Sequence, residues 1–233
     1  MLFLHELHTV IGQHETEFEA AFRDAWMPAL ADGLDARLLY FLRQALGTGP
    51  SYRVVTVTAL RDGAAWEALM RRLDGGDLAG WGRRVDALRH EVRGKLLTPL
   101  PWSPLQTVDL ATVPATAADH PLTLFMEDTV WPAEGCLDAY IERAGAHYVP
   151  EMRAPGEHLL SVDASFRTTL GSHRRREVVL WQKVLQPERL LPLLTRELPA
   201  HFLQPGSWMR EALTLRDQWK SRLLRTVAWS PWH

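Results

Sequence analysis

The sequence predicts an α+β fold of two tandem ferredoxin-like (βαββαβ) units, whose sheets pack face to face as an α+β barrel. The first observation behind this prediction is an internal repeat. Trp102-Ser103-Pro104 recurs 127 residues later as Trp229-Ser230-Pro231. At the same spacing, nine of the 25 positions from Gly80 to Pro104 are identical in the second half. This period is far longer than the roughly 20–50 residues of solenoid repeats, so it indicates a pair of domains.

The second observation is the order of elements in the first half, which begins with an apolar strand at residues 2–10. An apolar stripe from Glu15 onwards has helical spacing, and Pro28 is expected to end or kink this helix near Met27. Two strand-like segments follow on either side of a Gly-Pro turn cluster, and then a helical stretch and an extended segment. These segments are residues 37–44, 52–60, 66–92 and 95–102.

The second half repeats this order, and a connecting segment at residues 107–120 is rich in Ala, Thr, Asp and Pro. We therefore expect one unit at residues 1–106, a linker at 107–120 and a second unit at 121–233. The expected elements of the second unit are strands at 122–131, 159–168, 177–184 and 223–229, with helices at 137–149 and around Pro205-Gly206.

The third observation is that a βαββαβ unit carries its helices on one side of an antiparallel sheet. The other face of that sheet must be solvated or buried against something else. Two units in one chain cover both faces if their sheets pack together. The duplication thus predicts that the two sheets pack against each other within one chain and enclose a cavity.

Composition excludes several classes of function. The formal net charge is −2, and Arg174-Arg175-Arg176 is the longest basic run, so no nucleic-acid-binding stripe is expected. No window approaches the roughly 20 apolar residues of a membrane span. The segment at residues 1–6 lacks the features of a secretory signal, and the one cysteine, Cys136, forbids an intrachain disulfide. A cytoplasmic protein is the expectation.

Three short segments resemble the NIPSNAP family. Residues 93–106 resemble the closing strand and Ser-Pro-Leu tail of that family, and Val178–Trp181 resembles its third strand. Glu6-Leu7-His8 resembles its opening Glu-Leu-Arg, with histidine in place of arginine. The resemblance implies the dimeric α+β barrel superfamily, in which two ferredoxin-like sheets close around a cavity. Known members include cofactor-independent monooxygenases, isomerases, cyclases and haem enzymes, whereas NIPSNAP proteins are described mainly as interaction or trafficking proteins.

The candidate catalytic residues are Glu6, His8 and Glu127. Strand alternation places Glu6 and His8 on one face, which we expect to line the cavity, with Glu6 orienting the imidazole as a proton acceptor. Glu127 is aligned with Glu6 at a spacing of 121 residues and is expected to contribute from the opposite sheet. The alternative is that Glu6 pairs with an arginine across the sheet and His8 is a polar neighbour with its hydrogen bonds satisfied.

The candidate ligand-binding residues are Arg43, Arg167 and Trp181. Arg43 and Arg167 lie near the ends of second strands and are placed to hold an anionic group at the barrel mouth. The alternative, which is favoured for ordinary surface arginines, is that both are solvated or paired with glutamates. No metal site is expected, because His5 and His8 face opposite sides of a strand. No cofactor is expected, with haem as a minor alternative for which no motif selects among His147, His158, His173 and His201.

The function expected from these observations is binding of a small apolar or aromatic molecule in the barrel, with cofactor-independent chemistry of a monooxygenase or isomerase type. Two alternatives stay open: a non-catalytic NIPSNAP-like interaction protein whose barrel is filled by its own side chains, and a haem-binding barrel. A homodimer that exchanges halves between chains is the alternative to closure within one chain.

Overall fold

Each half of the chain forms a βαββαβ unit. The computed structural model describes residues 1–233 except 34, 155, 157, 173–174, 196 and 198–199, and it does not describe the side chains of residues 193, 194 and 201. The first half contains β1 (Leu2–Val10), α1 (Glu15–Ala21), α2 (Met27–Ala31), β2 (Ala36–Gln44), β3 (Arg53–Leu60), α3 (Gly63–Asp74), α4 (Ala79–Ala87) and β4 (Arg89–Pro99). The second contains β5 (Leu124–Pro132), α5 (Leu137–Arg143), α6 (Val149–Arg153), β6 (Leu160–Leu170), β7 (Val178–Val184), α7 (Leu190–Thr195), α8 (Trp208–Ala212) and β8 (Arg216–Thr226).

The eight strands close into one antiparallel barrel within a single chain, in the order β1-β3-β2-β8-β5-β7-β6-β4. The halves meet where β2 pairs with β8 and where β4 pairs with β6. The predicted fold class, two ferredoxin-like units forming an α+β barrel, is confirmed. The boundaries at 106 and 121 stay a prediction.

The inner face of the barrel is filled by side chains from both halves. Aromatic rings interlock across it: Phe3 lies 4.9 Å from Phe166, and Tyr40 lies within 5.4 Å of both Phe125 and Trp181. Residues of the connecting segment and the C-terminal tail close one end, and they are Leu105, Val108, Leu110, Val113 and Trp232. The centre of the barrel, where a cavity was predicted between the two sheets, is therefore packed as a hydrophobic core.

The repeated Trp-Ser-Pro motif fastens each half to the other. The indole of Trp102 donates to the carbonyl of Ile141 on α5 at 2.8 Å, and that of Trp229 donates to Glu19 on α1 at 2.7 Å. The adjacent hydroxyls of Ser103 and Ser230 accept backbone N–H groups from β6 and β2. These contacts explain why the motif recurs, since each copy ends a strand that crosses to the other half.

Pro28 does not end its helix near Met27, so that part of the prediction is wrong, whereas a kink at this position stays a prediction. The helix continues from α1 through a π-helical turn at Phe22–Trp26 into α2, where Pro28 occupies the first turn. Proline inside an α-helix clashes with the carbonyl four residues earlier, and the wider π turn changes this hydrogen-bond pattern. The second half repeats the arrangement at Ala144–Tyr148 and Pro150.

The strand pairing corrects the alignment of β1 with β5 by one residue. His5 pairs with Val57, Glu127 pairs with Trp181, and Val57 and Trp181 are equivalent repeat positions. The spacing is therefore 122, so Glu127 corresponds to His5, and Asp128 corresponds to Glu6. A slip of one residue moves a side chain to the other face of the sheet.

Within the described part of the chain, no helix has the length and apolar character needed to cross a membrane.

Candidate functional site

A cavity lies outside the barrel, between the outer face of β1 and β4 and the helices α3 and α4. This space, called here the outer pocket, encloses about 580 Å³. That volume falls within the range of small-molecule sites, roughly 300–1,000 Å³. Its apolar wall is formed by Leu4, Trp26, Trp66, Met70, Leu73, Trp81, Val92, Leu96 and Leu170. Its polar lining includes Glu6, Asp74, Arg83, Asp86 and Arg89.

Two features of the first half leave this space open. Gly94 pairs with Glu6 across the β1–β4 ladder, and a Cβ built at Gly94 would meet only Leu4, at 4.0 Å. On the opposite wall, the indoles of Trp26 and Trp81 stack at 4.2 Å with an interplanar angle of 16°. The Trp81 indole donates to the carbonyl of Ala21, whereas the buried Nε1 of Trp26 has no partner among the described residues. The pocket thus contains an aromatic wall and an unused hydrogen-bond donor.

Glu6 contributes a half-buried carboxyl group to the pocket. Burial away from water raises its pKa above the ordinary value, an effect that the Arg89 charge and a hydrogen bond from Thr56 partly offset. A carboxyl group with a raised pKa is a stronger base while ionised, and it exchanges protons closer to neutral pH.

A chain of hydrogen bonds connects Arg89 to this carboxyl group. Arg89 lies 2.8 Å from Nδ1 of His8, and because arginine can only donate, Nδ1 accepts. The proton is then on Nε2, which lies 3.1 Å from the Thr56 hydroxyl. Burial and the Arg89 charge hold the pKa of His8 well below its ordinary value, so His8 is neutral at neutral pH. The imidazole orients Thr56 toward Glu6, and its own role in proton transfer stays a prediction.

The predicted orientation of β1 is wrong. Glu6 and His8 face the helices, where His8 packs 5.1 Å from Phe18 and 5.5 Å from Phe22. Phe3 and Leu7 belong to the core inside the barrel. The physical reason is the apolar residues of β1: Phe3 and Leu7 fill the space between two sheets, and Leu4 and Val10 on the other face join the helix-covered core. Glu6 still lies in a pocket, but on the opposite side of the sheet from the predicted one.

Glu127 points into the barrel, away from Glu6. It lies 2.8 Å from Nε2 of His5 and 2.6 Å from Arg222, and both His5 and Glu127 are only 1% exposed. The charges of His5 and Arg222 hold the pKa of Glu127 well below its usual range, against the opposing effect of burial. Glu127 therefore stays ionised and belongs to a separate, internal ion-pair cluster.

The three predicted ligand-binding residues are dispersed. Arg43 is paired with Glu15 at 3.1 Å and with Glu19, and Arg167 is exposed beside Thr98. Trp181 is packed inside the barrel. None of the three lies in the outer pocket, and their roles in binding stay predictions. The residues that the sequence reasoning did not assign to a site are Trp26, Trp66, Met70, Trp81, Arg89 and Gly94. A signal for Gly94 was present, since the repeat places a serine, Ser221, at its equivalent position.

The residues of the outer pocket do not fit haem. Among its described lining residues there is no histidine, cysteine or tyrosine, the side chains that commonly hold haem iron as a single axial ligand. His147 lies near Glu211, and His158 contacts the carbonyl of Ala154. His173 and the side chain of His201 lie outside the described residues. No group of three or more His, Cys, Asp or Glu side chains suited to a metal ion occurs in the described part of the chain.

Comparison with known proteins supports the fold. No protein-family model matches the sequence, and no curated protein matches it. A solved structure from Lactobacillus acidophilus, provisionally assigned as a monooxygenase, is 9% identical with a TM-score of 0.59, covering 99% of this chain and 96% of that one. A protein provisionally assigned as a chlorite dismutase is 11% identical with a TM-score of 0.56, covering 97% and 95%.

A NIPSNAP domain protein from Burkholderia xenovorans is 19% identical with a TM-score of 0.36, covering 44% of this chain and 97% of that one. At these identities the likeness establishes the α+β barrel fold and leaves function to the site.

Proposed function

We propose that this protein binds a small apolar or aromatic molecule in the outer pocket and that Glu6 exchanges a proton with it. The observation that carries the proposal is one carboxyl group with a raised pKa facing an otherwise mostly apolar, tryptophan-lined cavity. Such a cavity, with few convergent polar groups and a perturbed pKa, is the usual form of a small-molecule site. The proposal keeps the predicted ligand class and moves the site from the barrel interior to its outer face.

The chemistry that fits this geometry is proton abstraction from carbon next to a carbonyl group. The Glu6 carboxylate takes the proton, and the electron pair of the C–H bond forms an enolate on the ligand. The free Nε1–H of Trp26 is a donor for the enolate oxygen, and Arg89 supplies positive charge nearby. With a β,γ-unsaturated ketone, return of the proton to the γ-carbon of the dienolate gives the α,β-unsaturated isomer. Alternatively, dioxygen as co-substrate adds to the enolate carbon to form a hydroperoxide, and loss of water from this hydroperoxide leaves one oxygen atom in a 1,2-dicarbonyl product.

His8, Thr56 and Arg89 act together to position Glu6. Their hydrogen bonds fix the imidazole tautomer and direct the threonine hydroxyl at the carboxyl group. Replacing His8 is therefore expected to change the pH profile of proton exchange through Glu6, while leaving apolar binding nearly intact.

The test uses 2-tetralone, an aromatic ketone with acidic C–H bonds. We expect calorimetry to detect binding to the full chain and NMR in D₂O to detect accelerated deuterium exchange next to the carbonyl. A Cβ at Gly94 meets only the side chain of Leu4, so Gly94→Leu is expected to occupy part of the pocket and to weaken binding at least about tenfold. Gly63→Leu is the matched control, because a Cβ at this exposed helix start meets nothing within 4 Å.

This experiment tests ligand binding in the outer pocket separately from proton exchange by Glu6. Glu6→Gln is expected to retain binding and to abolish the accelerated exchange. If Gly94→Leu binds as tightly as the wild type, the ligand site lies elsewhere. If the wild type binds 2-tetralone but Glu6→Gln exchanges protons as fast, Glu6 has no catalytic role.

A non-catalytic interaction protein is the second candidate, and the filled barrel interior favours it. A barrel closed by its own aromatic and leucine side chains is what that alternative predicted. It predicts no ligand-specific difference between Gly94→Leu and Gly63→Leu, so the same pair of variants distinguishes the two functions.

A further inference from the structure

A second cavity, of about 240 Å³, opens at the end of the barrel opposite the tail of the chain. Two walls face each other across it, one formed by β1 and β4 and the other by β5 and β8. The lining residues are His5, Leu7, Arg93, Lys95, Thr129, Trp131, Glu177, Lys220 and Arg222. This space is called here the basic mouth.

The basic side chains of the mouth come from equivalent positions of the two halves. At the repeat spacing of 127, Arg93 corresponds to Lys220 and Lys95 corresponds to Arg222. Arg93 and Lys95 lie on the closing strand β4, and Lys220 and Arg222 lie on the closing strand β8. On each strand, one outward-facing residue separates the two inward-facing cations. Both copies of the closing strand therefore direct two cations into one space.

Carboxylates neutralise only part of this charge. Lys95 pairs with Glu177 at 2.5 Å, and Arg222 pairs with Glu127 at 2.6 Å. Arg93 contacts Glu91 at the exposed rim, and the position equivalent to Glu177 is occupied by another base, Arg53.

Lys220 is the cation without a carboxylate partner among the described residues. Desolvation and the charges of Arg222, Arg53 and Arg93 lower its pKa, against the weaker effect of Glu127. Repulsion among like charges in a partly dry site is unfavourable unless an anion offsets it.

Unused donors accompany the excess charge. The Nε–H groups of Arg222 and Arg53 are buried donors without a hydrogen-bond partner in the described structure. The Nδ1 atom of His5 is also buried without a partner in this part of the chain. Because Nε2 of His5 donates to Glu127, Nδ1 donates only when the imidazole is protonated. His5 is 1% exposed and lines the mouth. Buried donors are normally satisfied, so these two guanidinium groups indicate an acceptor that the described residues do not provide.

We infer that the basic mouth binds the oxyanion group of a small molecule, a phosphate or a carboxylate. Lys220, Arg93 and Arg222 supply the charge, and guanidinium groups match the two oxygens of such a group. The site is separate from the outer pocket, since it lies at the barrel end and Lys95 alone borders both.

The experiment measures binding of inorganic phosphate and of acetate to the full chain by calorimetry, with chloride holding the ionic strength constant. We expect at least one oxyanion to bind with an affinity above that of chloride, and the tighter of the two identifies the group. Lys220→Met is expected to weaken that binding about tenfold or more. Arg84→Gln, which removes an exposed arginine on α4, is the matched control and is expected to leave it unchanged.

A second variant tests the site by filling it. Thr129 faces Lys220 in the mouth, so Thr129→Glu places a carboxylate among the cations. This variant is expected to lose oxyanion binding and to melt at a higher temperature than the wild type. The inference is overturned if neither oxyanion binds more tightly than chloride, or if Lys220→Met and Arg84→Gln bind equally well.

Discussion

The two halves of the chain place a carboxyl group at the same position of the outer sheet face but surround it differently. In the second half, Asp128 accepts from Ser221 at 2.5 Å and from Gln182 at 2.9 Å. The phenol of Tyr148 donates to the same Gln182. Burial raises the pKa of Asp128, and these hydrogen bonds oppose the increase.

In the first half the equivalent positions leave the carboxyl group open. Gly94 replaces Ser221, Thr58 replaces Gln182 and Trp26 replaces Tyr148. The Thr58 hydroxyl and the Trp26 indole have no partner among the described residues. The same duplicated scaffold therefore supports a satisfied polar network in one half and a cavity in the other. The residues shared by the two halves therefore account for the common fold, whereas the positions at which the halves differ account for the cavity.

The largest effect is expected at the inner face, where the halves meet through equivalent residues of opposite chemistry, His5 and Glu127. Glu127→Gln leaves Arg222 buried without its carboxylate and is expected to cost about 3–5 kcal/mol in the free energy of unfolding. Urea denaturation measures this loss. Glu67→Gln, in an exposed pair with Arg71, is the control and is expected to cost less than about 1 kcal/mol.

The same variant has a defined pH dependence. The folded-state pKa of Glu127 lies below its unfolded value, so its stabilisation is complete above the unfolded pKa and is lost as the pH falls toward the folded pKa. Glu127→Gln is expected to flatten the acid side of the stability profile. An unchanged acid limb would show that the pairing with His5 and Arg222 contributes nothing to folding.

The next largest effect is a difference in stability loss between variants of the two carboxyl groups on the outer sheet face, Asp128 and Glu6. Asp128→Ala leaves the Ser221 and Gln182 donors without an acceptor and is expected to cost about 2 kcal/mol. Glu6 borders an open pocket, where water can replace the lost contact. Glu6→Ala is therefore expected to reduce the free energy of unfolding by about 1 kcal/mol or less. Chemical denaturation of both variants checks the order, and equal losses would remove the distinction between a satisfied network and an open site.

The smallest effect is expected when the residues at one pair of equivalent positions, Gly94 and Ser221, are exchanged between the halves. The serine hydroxyl of Gly94→Ser is expected to donate to Glu6 and to lower its pKa, because a hydrogen bond to the ionised carboxylate favours that form. Ser221→Gly is expected to raise the pKa of Asp128 by a similar amount. Carboxyl ¹³C NMR titration measures both changes.

The stability of these variants follows from the sign of each pKa change. Because the pKa of Glu6 is raised on folding, stability falls as the pH rises from the unfolded to the folded pKa. Gly94→Ser is expected to bring the folded pKa of Glu6 closer to its unfolded pKa, and therefore to reduce the stability lost between these two pH values. A Glu6 pKa unaffected by Gly94→Ser would show that the missing hydroxyl does not explain the difference between the halves.

Much of the fold, but only part of the candidate site, was predictable from the sequence. The repeat at Trp102 and Trp229 and the helical stripe around Phe18 predicted two like units in the right order. Glu6 was identified as a candidate, but its pocket was predicted on the wrong face. Neither strand face of β1 is purely polar or apolar, since Leu4 accompanies Glu6 and Phe3 accompanies His5. Alternation separates the two faces of such a strand without saying which one the helices cover.

By itself, the sequence determined the duplication, the order of strands and helices and the residue types available for chemistry, because local spacing and repeated motifs carry that information. The tertiary structure alone decided that Glu127 pairs with His5, that Glu6 faces a tryptophan-lined pocket and that four basic residues converge at the barrel end. The reason is the period of two in a β-strand: an alignment error of one residue, hidden by insertions between the repeats, exchanges the inside of the barrel for its outside.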